Sequence, residues 1–209
     1  MKLPMLGKIQ ITKNKFRVRV YGGGIMLIEN AFKFFPVLET ERLVLRQLQL
    51  KDAPQIYSYF SLDKVTEFYD LETFTSEEQA IHLIDRLLLR YSSGKQIRWG
   101  ITLKGSDNII GTCGFHAIER DHYKVEIGYE LHPDYWRKGI MSEVINIVVD
   151  YAFSTMGINR VEAFYDPMNI ASRRALEKNG FQYEGVLRKR FFEKGKFMDA
   201  AIAAIIKEG

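Results

Sequence analysis

Apolar residues recur along this chain with two periods, and the switches between them outline its elements. Residues 42–47 (Arg-Leu-Val-Leu-Arg-Gln), with a short apolar run at their centre, are predicted as a strand. Ala53, Ile56, Tyr57 and Phe60 then share one side of a helix predicted over 51–60. A second helix is predicted from Ser76 to Tyr91, because Ser76-Glu77-Glu78-Gln79 is close to a capping box. Strands follow near 96–103, 108–116 and 123–131, the first two separated by the turn residues Gly105-Ser106-Asp107-Asn108. Met141, Val144, Ile145, Val148, Ala152 and Phe153 give the rhythm of one buried face, so a long helix is predicted over 138–153. A strand over 160–165, a short helix after Asn169 and two closing strands complete the order. Helices flanking a mostly antiparallel sheet with one parallel crossover make an α/β layer architecture.

The front of the chain is less regular. Residues 8–21 alternate basic and apolar side chains, as a strand or hairpin would, and Gly22-Gly23-Gly24 breaks the pattern. That triplet lacks the Gly-Lys-Ser/Thr ending of a phosphate-binding P-loop and reads as a flexible junction. Met26 follows it and could itself start translation. Residues 1–35 are therefore an N-terminal extension, a hairpin or a flexible arm, ahead of one domain over 36–209. No internal repeat or low-complexity tract is present.

Chemistry concentrates in two segments. His132-Pro133-Asp134-Tyr135-Trp136-Arg137-Lys138-Gly139-Ile140-Met141-Ser142-Glu143 links a strand to the start of the long helix. The first N–H groups of a helix lack partners and lie at the positive end of its dipole, so such a start attracts anions. Glycine permits close approach of a phosphate, and Arg137 and Lys138 add charge. The plain alternative is a solvated turn. In the second segment, Asn169 is a natural N-cap, Ser172 sits one turn later, and Gly180 is placed to end the helix.

Together these segments resemble the GNAT superfamily of acyl-CoA-dependent N-acetyltransferases, in particular the branch containing the ribosomal-protein N-terminal acetyltransferases. Further marks are Glu39-Thr40-Glu41-Arg42-Leu43-Val44-Leu45-Arg46, Ile109-Ile110-Gly111-Thr112-Cys113-Gly114-Phe115 and Glu126-Ile127-Gly128-Tyr129-Glu130-Leu131. They follow the family's order over about the last 170 residues. The superfamily's phosphate loop usually begins with Gln or Arg and ends with Gly or Ala; here those places hold Trp136 and Met141.

The resemblance implies a mixed, mostly antiparallel twisted sheet of about seven strands, flanked by helices on both faces, and acetyl-CoA as the acyl donor. It further implies that the N–H of Leu131 polarises the thioester carbonyl. The pyrophosphate would rest on the N–H groups of Arg137, Lys138, Gly139, Ile140, Met141 and Ser142. Asn169 would hydrogen-bond the pantetheine arm, and Ser172 would lie near the sulfur and protonate the departing thiolate. Glu126, on the strand beside the acyl site, is the candidate base, with a salt-bridged structural role as its alternative. Some relatives carry a glutamate where this chain has Phe191-Phe192. Glu193 is close by, but a one-residue shift reverses the facing of a strand.

Composition narrows the picture. Cys113 is the only cysteine, so no intrachain disulfide can form, and a reducing, cytoplasmic setting is expected. No apolar run reaches the ~18 residues of a membrane span. His82, His116, His122 and His132 show no metal-ligand spacing, so no metal is expected; His116 alone lies near the expected cleft. The formal charge of +4 is spread along the chain, which argues against a dedicated nucleic-acid surface. The acceptor pocket would draw on Tyr57, Tyr59, Phe60, Phe68, Tyr69, Arg188, Arg190 and Asp199. The expected activity is transfer of acetyl from acetyl-CoA directly to a primary amine, with a protein N-terminus as the leading acceptor. A small amine (polyamine, amino acid or aminoglycoside) and a non-catalytic acyl-CoA sensor are the alternatives, and a homodimer is left open.

Overall fold

Both periodicities take the predicted form in the computed structural model of the chain, which describes residues 28–208 and the backbone of two earlier strands, Lys8–Ile9 (β1) and Arg17–Tyr21 (β2). The glycine triplet and Met26 lie outside the described residues. After β3 (Val37–Glu39) and β4 (Leu43–Gln47), a 3₁₀ turn leads into α1 (Ala53–Phe60), α2 (Asp63–Thr66) and α3 (Glu77–Ser92). The Gln79 side chain accepts from the Ser76 N–H at 3.1 Å, which fixes the start of α3. Strands β5 (Ile97–Leu103), β6 (Ile109–Glu119) and β7 (Lys124–Leu131) form a meander. Helix α4 (Ile140–Ser154) crosses to β8 (Arg160–Tyr165), and α5 (Ile170–Lys178) leads to the hairpin β9 (Gln182–Glu193) and β10 (Lys196–Ile206).

The strands make one sheet ordered β1-β2-β3-β4-β5-β6-β7-β8-β10-β9, ten among the described residues, of which the eight from β3 onward form its body. Only β7 and β8 pair in parallel; the other pairs are antiparallel. The expectation of about seven strands is close to the eight of this body. The short β3 and α2 escape a periodicity reading because neither is long enough to repeat its pattern twice. Helix α4 begins at Ile140, two residues later than predicted, for a backbone reason given below.

Side chains from alternate positions bury each sheet face under its own helices. Trp99, paired with Cys113, which is itself paired with Tyr129, lies on the face covered by α4, where Tyr151 meets the Trp99 ring edge-on at 5.6 Å. The Trp99 indole N–H donates to the Pro36 carbonyl at 2.8 Å. Ile56, Phe60, Phe74 and Ile84 build a second core under α1 and α3 on the opposite face. Gly114 must be glycine, because a Cβ there would overlap the Ile97 backbone of the neighbouring strand. No helix among the described residues is long and apolar enough to cross a membrane.

Between the sheet and α1–α2 lies a buried polar cluster. Arg98 pairs with Glu130 and also donates to Thr112 Oγ1 at 2.6 Å and to the Tyr69 hydroxyl at 3.2 Å. The Tyr59 and Tyr69 hydroxyls donate to the Glu130 carboxylate at 3.2 and 3.3 Å. Burial, then the adjacent carboxylate, pushes the Tyr59 phenol well above its ordinary pKa, so it stays a donor. A buried pair like this contributes modestly when intact but costs heavily when halved. Arg98→Leu should therefore lower the unfolding free energy by about 3–5 kcal/mol in urea titrations. Arg98→Leu/Glu130→Leu should lower it less, since no charge is left unpaired.

Candidate active site

The site begins where β7 and β8 part. Their parallel pairing covers only Lys124↔Arg160, Val125↔Val161 and Glu126↔Glu162. The Tyr123 carbonyl accepts from Asn159 N–H at 2.8 Å on the β8 side, while His132 N–H donates to Ile110 on the β6 side at 2.7 Å. Odd-numbered residues of β7 thus turn their backbone groups toward β8, as an alternating ladder requires. Beyond Glu126 that edge has no strand to pair with among the described residues, and the groups of Ile127, Tyr129 and Leu131 face the widening gap. One is satisfied from within: the Leu131 carbonyl accepts the Trp136 indole N–H at 2.7 Å. The Leu131 N–H remains on the open edge, where an extended ligand can add as a strand would.

The chain then turns sharply into α4. Arg137 (φ 58°) and Gly139 (φ 74°) both adopt the left-handed conformation, which is why the helix cannot begin at Lys138. The first bond into the helix is Glu143 N–H to the Gly139 carbonyl at 3.1 Å. The N–H groups of Ile140, Met141 and Ser142 therefore have no backbone acceptor among the described residues. Met141 packs its side chain against the core, so its size does not fill the turn. Arg137 and Lys138 are exposed beside these N–H groups.

Residues from the distant connection between β3 and β4 hold this turn. The Glu143 carboxylate accepts from Arg42 Nε at 2.7 Å and from Thr40 Oγ1, and Arg42 also donates to the Lys138 carbonyl at 3.2 Å. Burial pushes the Glu143 carboxyl up, but the Thr40 and Arg42 hydrogen bonds outweigh it and hold the pKa below the ordinary value. Thr40 and Arg42 were legible as a motif but not as a brace for a loop about a hundred residues later.

Helix α5 closes the same side. The Asn169 side-chain oxygen accepts from Ser172 N–H at 3.0 Å, a cap that leaves its amide donors free of partners among the described residues. Ser172 Oγ lies 2.8 Å from the Tyr129 hydroxyl. Asn179 Nδ2 donates to Ser142 Oγ at 3.0 Å, joining α5 to the first turn of α4. Leu131, the turn from Arg137 to Ser142, Asn169 and Ser172 are thus gathered on one side of the gap.

Glu126 lies elsewhere. Its side chain shares the other sheet face with Arg98, Gly128 and Glu130, and its carboxylate is 3.4 Å from His116 Nε2. On that face a cleft opens between the residues after α2, the end of β8 and the β9–β10 hairpin. Phe68, Tyr69, Phe164, Phe191 and Met198 line it together with Glu67, Asp166, Glu193 and Asp199. A bulge in β9 at Lys189 (φ 51°), whose N–H donates to Asp199 at 2.8 Å, sets the facing of the strand's end. Phe191 and Glu193 then share the cleft side, while Phe192 is 66% exposed. Burial, followed by the negative charges of Asp70 and Asp166, raises the Glu193 carboxyl above its ordinary pKa. Lys194 Nζ donates to the Thr66 carbonyl at 2.6 Å and pins the hairpin to α2. Of the anticipated acceptor residues, Phe68, Tyr69 and Asp199 line the cleft and Arg190 lies over Phe164 and Phe191. Tyr59 and Phe60 are core beneath it, Tyr57 packs against them, and Arg188 is not among the lining residues.

Comparison with known proteins agrees with this geometry. The sequence profile of the acetyltransferase (GNAT) domain matches residues 42–182. An uncharacterised N-acetyltransferase of Bacillus subtilis, YoaA, is 46% identical over 173 residues, covering 83% of this chain and 98% of its own. The Escherichia coli [ribosomal protein uS5]-alanine N-acetyltransferase is 26% identical, with 80% and 89% covered. A GNAT-family acetyltransferase structure from Bacillus anthracis superposes with a TM-score of 0.73 at 27% identity, over 81% of this chain and 98% of that one.

The free N–H groups at the start of α4 and the open edge of β7 fit the pyrophosphate and pantetheine of acetyl-CoA. Calorimetry should find acetyl-CoA binding abolished in Gly139→Glu, which sets bulk and negative charge against the phosphates. Arg42→Gln, which frees the turn without entering it, should weaken binding about tenfold. Unchanged affinity in both would remove the turn from the donor site.

Proposed function

We propose that this chain, which belongs to the GNAT family of acetyltransferases, acetylates the α-amino group of a polypeptide by direct transfer from acetyl-CoA in a ternary complex. One observation carries the reading: the gap between β7 and β8 has a donor cradle on the α4–α5 side and an aromatic, carboxylate-lined cleft on the other. Donor and acceptor would meet through the sheet, held for reaction without a covalent enzyme intermediate. The relative named as a ribosomal-protein alanine N-acetyltransferase supports a protein N-terminus as acceptor.

The roles divide accordingly. Backbone N–H groups of Ile127, Tyr129 and Leu131 would stabilise the oxyanion of the tetrahedral intermediate. Arg137 to Ser142 would hold the pyrophosphate, Asn169 the pantetheine arm, and Ser172 the sulfur. An amine attacks only as the free base, so a carboxylate must take its proton. Of the several carboxylates on the acceptor face, Glu126 and Glu193 are the two candidates weighed from the sequence. Glu193 is better placed than Glu126, because it lines the cleft, and burial raises its carboxyl above the ordinary pKa. Glu126, paired with His116, then orders the floor of the gap.

Release of CoA thiol from acetyl-CoA should be stimulated by peptides with free N-termini more than by polyamines, free amino acids or aminoglycosides. A preference for any small amine would overturn the acceptor assignment, and no turnover with either class would leave an acyl-CoA binder. Glu193→Gln should lower kcat/KM by about 10²-fold at neutral pH. It should also remove the acidic limb of the pH–rate profile, which in the unmodified protein lies above the ordinary carboxylate value of about 4.3. If Glu126→Gln removes that limb instead, the base is Glu126.

A further inference from the structure

Ser172 is one half of a hydroxyl pair, and the other half is the side chain of Tyr129, of which the account above uses only the backbone N–H. Tyr129 sends its backbone groups into the gap between β7 and β8 and its side chain to the α4–α5 side, where its hydroxyl lies 2.8 Å from Ser172 Oγ. Ser172 is fixed from behind as well, since its N–H is committed to the Asn169 side chain at 3.0 Å. One hydroxyl must donate to the other. A phenol, with an ordinary pKa of about 10, is a far stronger hydrogen-bond donor than an aliphatic alcohol. It is also the poorer acceptor, because its lone pair is delocalised into the ring. The only other acceptor near the phenol among the described residues is the Ser172 carbonyl at 3.5 Å, at the limit of a useful bond. Burial raises the Tyr129 pKa further and keeps the phenol protonated. Tyr129 therefore donates, Ser172 accepts, and the serine's own proton is left pointing away from the ring.

We propose that Tyr129 is a positioning residue for acetyl transfer, which by donating to Ser172 Oγ aims the serine proton at the departing sulfur. The proposal rests on the role given to Ser172 in the preceding section. In the transfer step the amine nitrogen bonds to the acetyl carbon and its proton passes to the carboxylate base. The carbon–sulfur bond breaks with its electron pair going to sulfur, which Ser172 meets with a hydrogen bond as the charge develops and which water later protonates. No proton leaves Tyr129 at any point. Its contribution is to remove the alternative rotor states of Ser172 before the charge appears.

Tyr129→Phe, Ser172→Ala and the double variant test this with a saturating peptide acceptor, reading kcat and the KM for acetyl-CoA separately. Tyr129→Phe keeps the ring in its packing, and unchanged acetyl-CoA affinity by calorimetry shows that the donor site still forms. The expected result is a kcat lowered about tenfold in Tyr129→Phe, with KM for acetyl-CoA within about twofold. The double variant should be no slower than Ser172→Ala, because both changes act through one proton. Losses that multiply, or a Tyr129→Phe enzyme at full kcat beside an impaired Ser172→Ala, overturn the positioning role and leave the acetyl-transfer reading intact. Full activity in Ser172→Ala removes the serine's role and the proposal with it. Failure of the unmodified protein to acetylate any amine refutes the acetyl-transfer reading itself.

Discussion

The divergence of β7 from β8 is the constraint on which the rest of the molecule depends. Each strand stays fully engaged on its outer edge: β7 is paired to β6 as far as Leu131, and β8 to β10 as far as Tyr165. The opening is therefore framed by continuous ladders and cannot close by local collapse. Its cost is a row of backbone groups without strand partners, which a folded protein tolerates only where water, a side chain or a ligand can take them. The Trp136 indole takes one of them. The others form an edge that a substrate can occupy as if it were part of the sheet.

The two faces of the opening are stiffened by unlike means. On the α4–α5 side, the connection between β3 and β4 reaches across to Glu143, and α5 reaches Ser142 through Asn179, so the turn before α4 is clamped from both flanks. On the acceptor side, the Arg98–Glu130 pair and the hydroxyls of Tyr59 and Tyr69 tie α1 and the residues after α2 to the sheet. Tyr69 belongs both to this cluster and to the cleft lining. Its ring is thereby held at the cleft wall by a network whose other members are all buried and bonded.

What could be read from the chain was whatever repeats or caps. The alternation of β5 to β7, the 3.6-residue rhythm of α4 and the Ser76–Gln79 and Asn169 caps are local signals, and each lies where the periodicity placed it. The start of α4 was misplaced because the apolar rhythm fixes the buried face from Met141 onward but not the first turn, where the backbone is reset by two left-handed residues, one of them an arginine that carries no such signature. Glu193 could not be given a side from sequence, since its facing depends on a bulge at Lys189 that no pattern of side chains announces. That Glu126 and Ser172 lie on opposite faces was likewise invisible. Alternation assigns relative sides within β7, but only the position of α5 over Tyr129 shows which side Ser172 takes.

The molecule also carries its own optical reporters. Its two tryptophans sit in unlike surroundings. Trp99 is sealed in the core against Tyr151 and Phe115, so its emission follows whether the sheet is folded. Trp136 is 42% exposed and bonded through its indole to the last residue of β7, beside the turn before α4. Occupation of the donor edge and loss of the fold therefore fall on different chromophores, and a single unlabelled sample can distinguish them by wavelength.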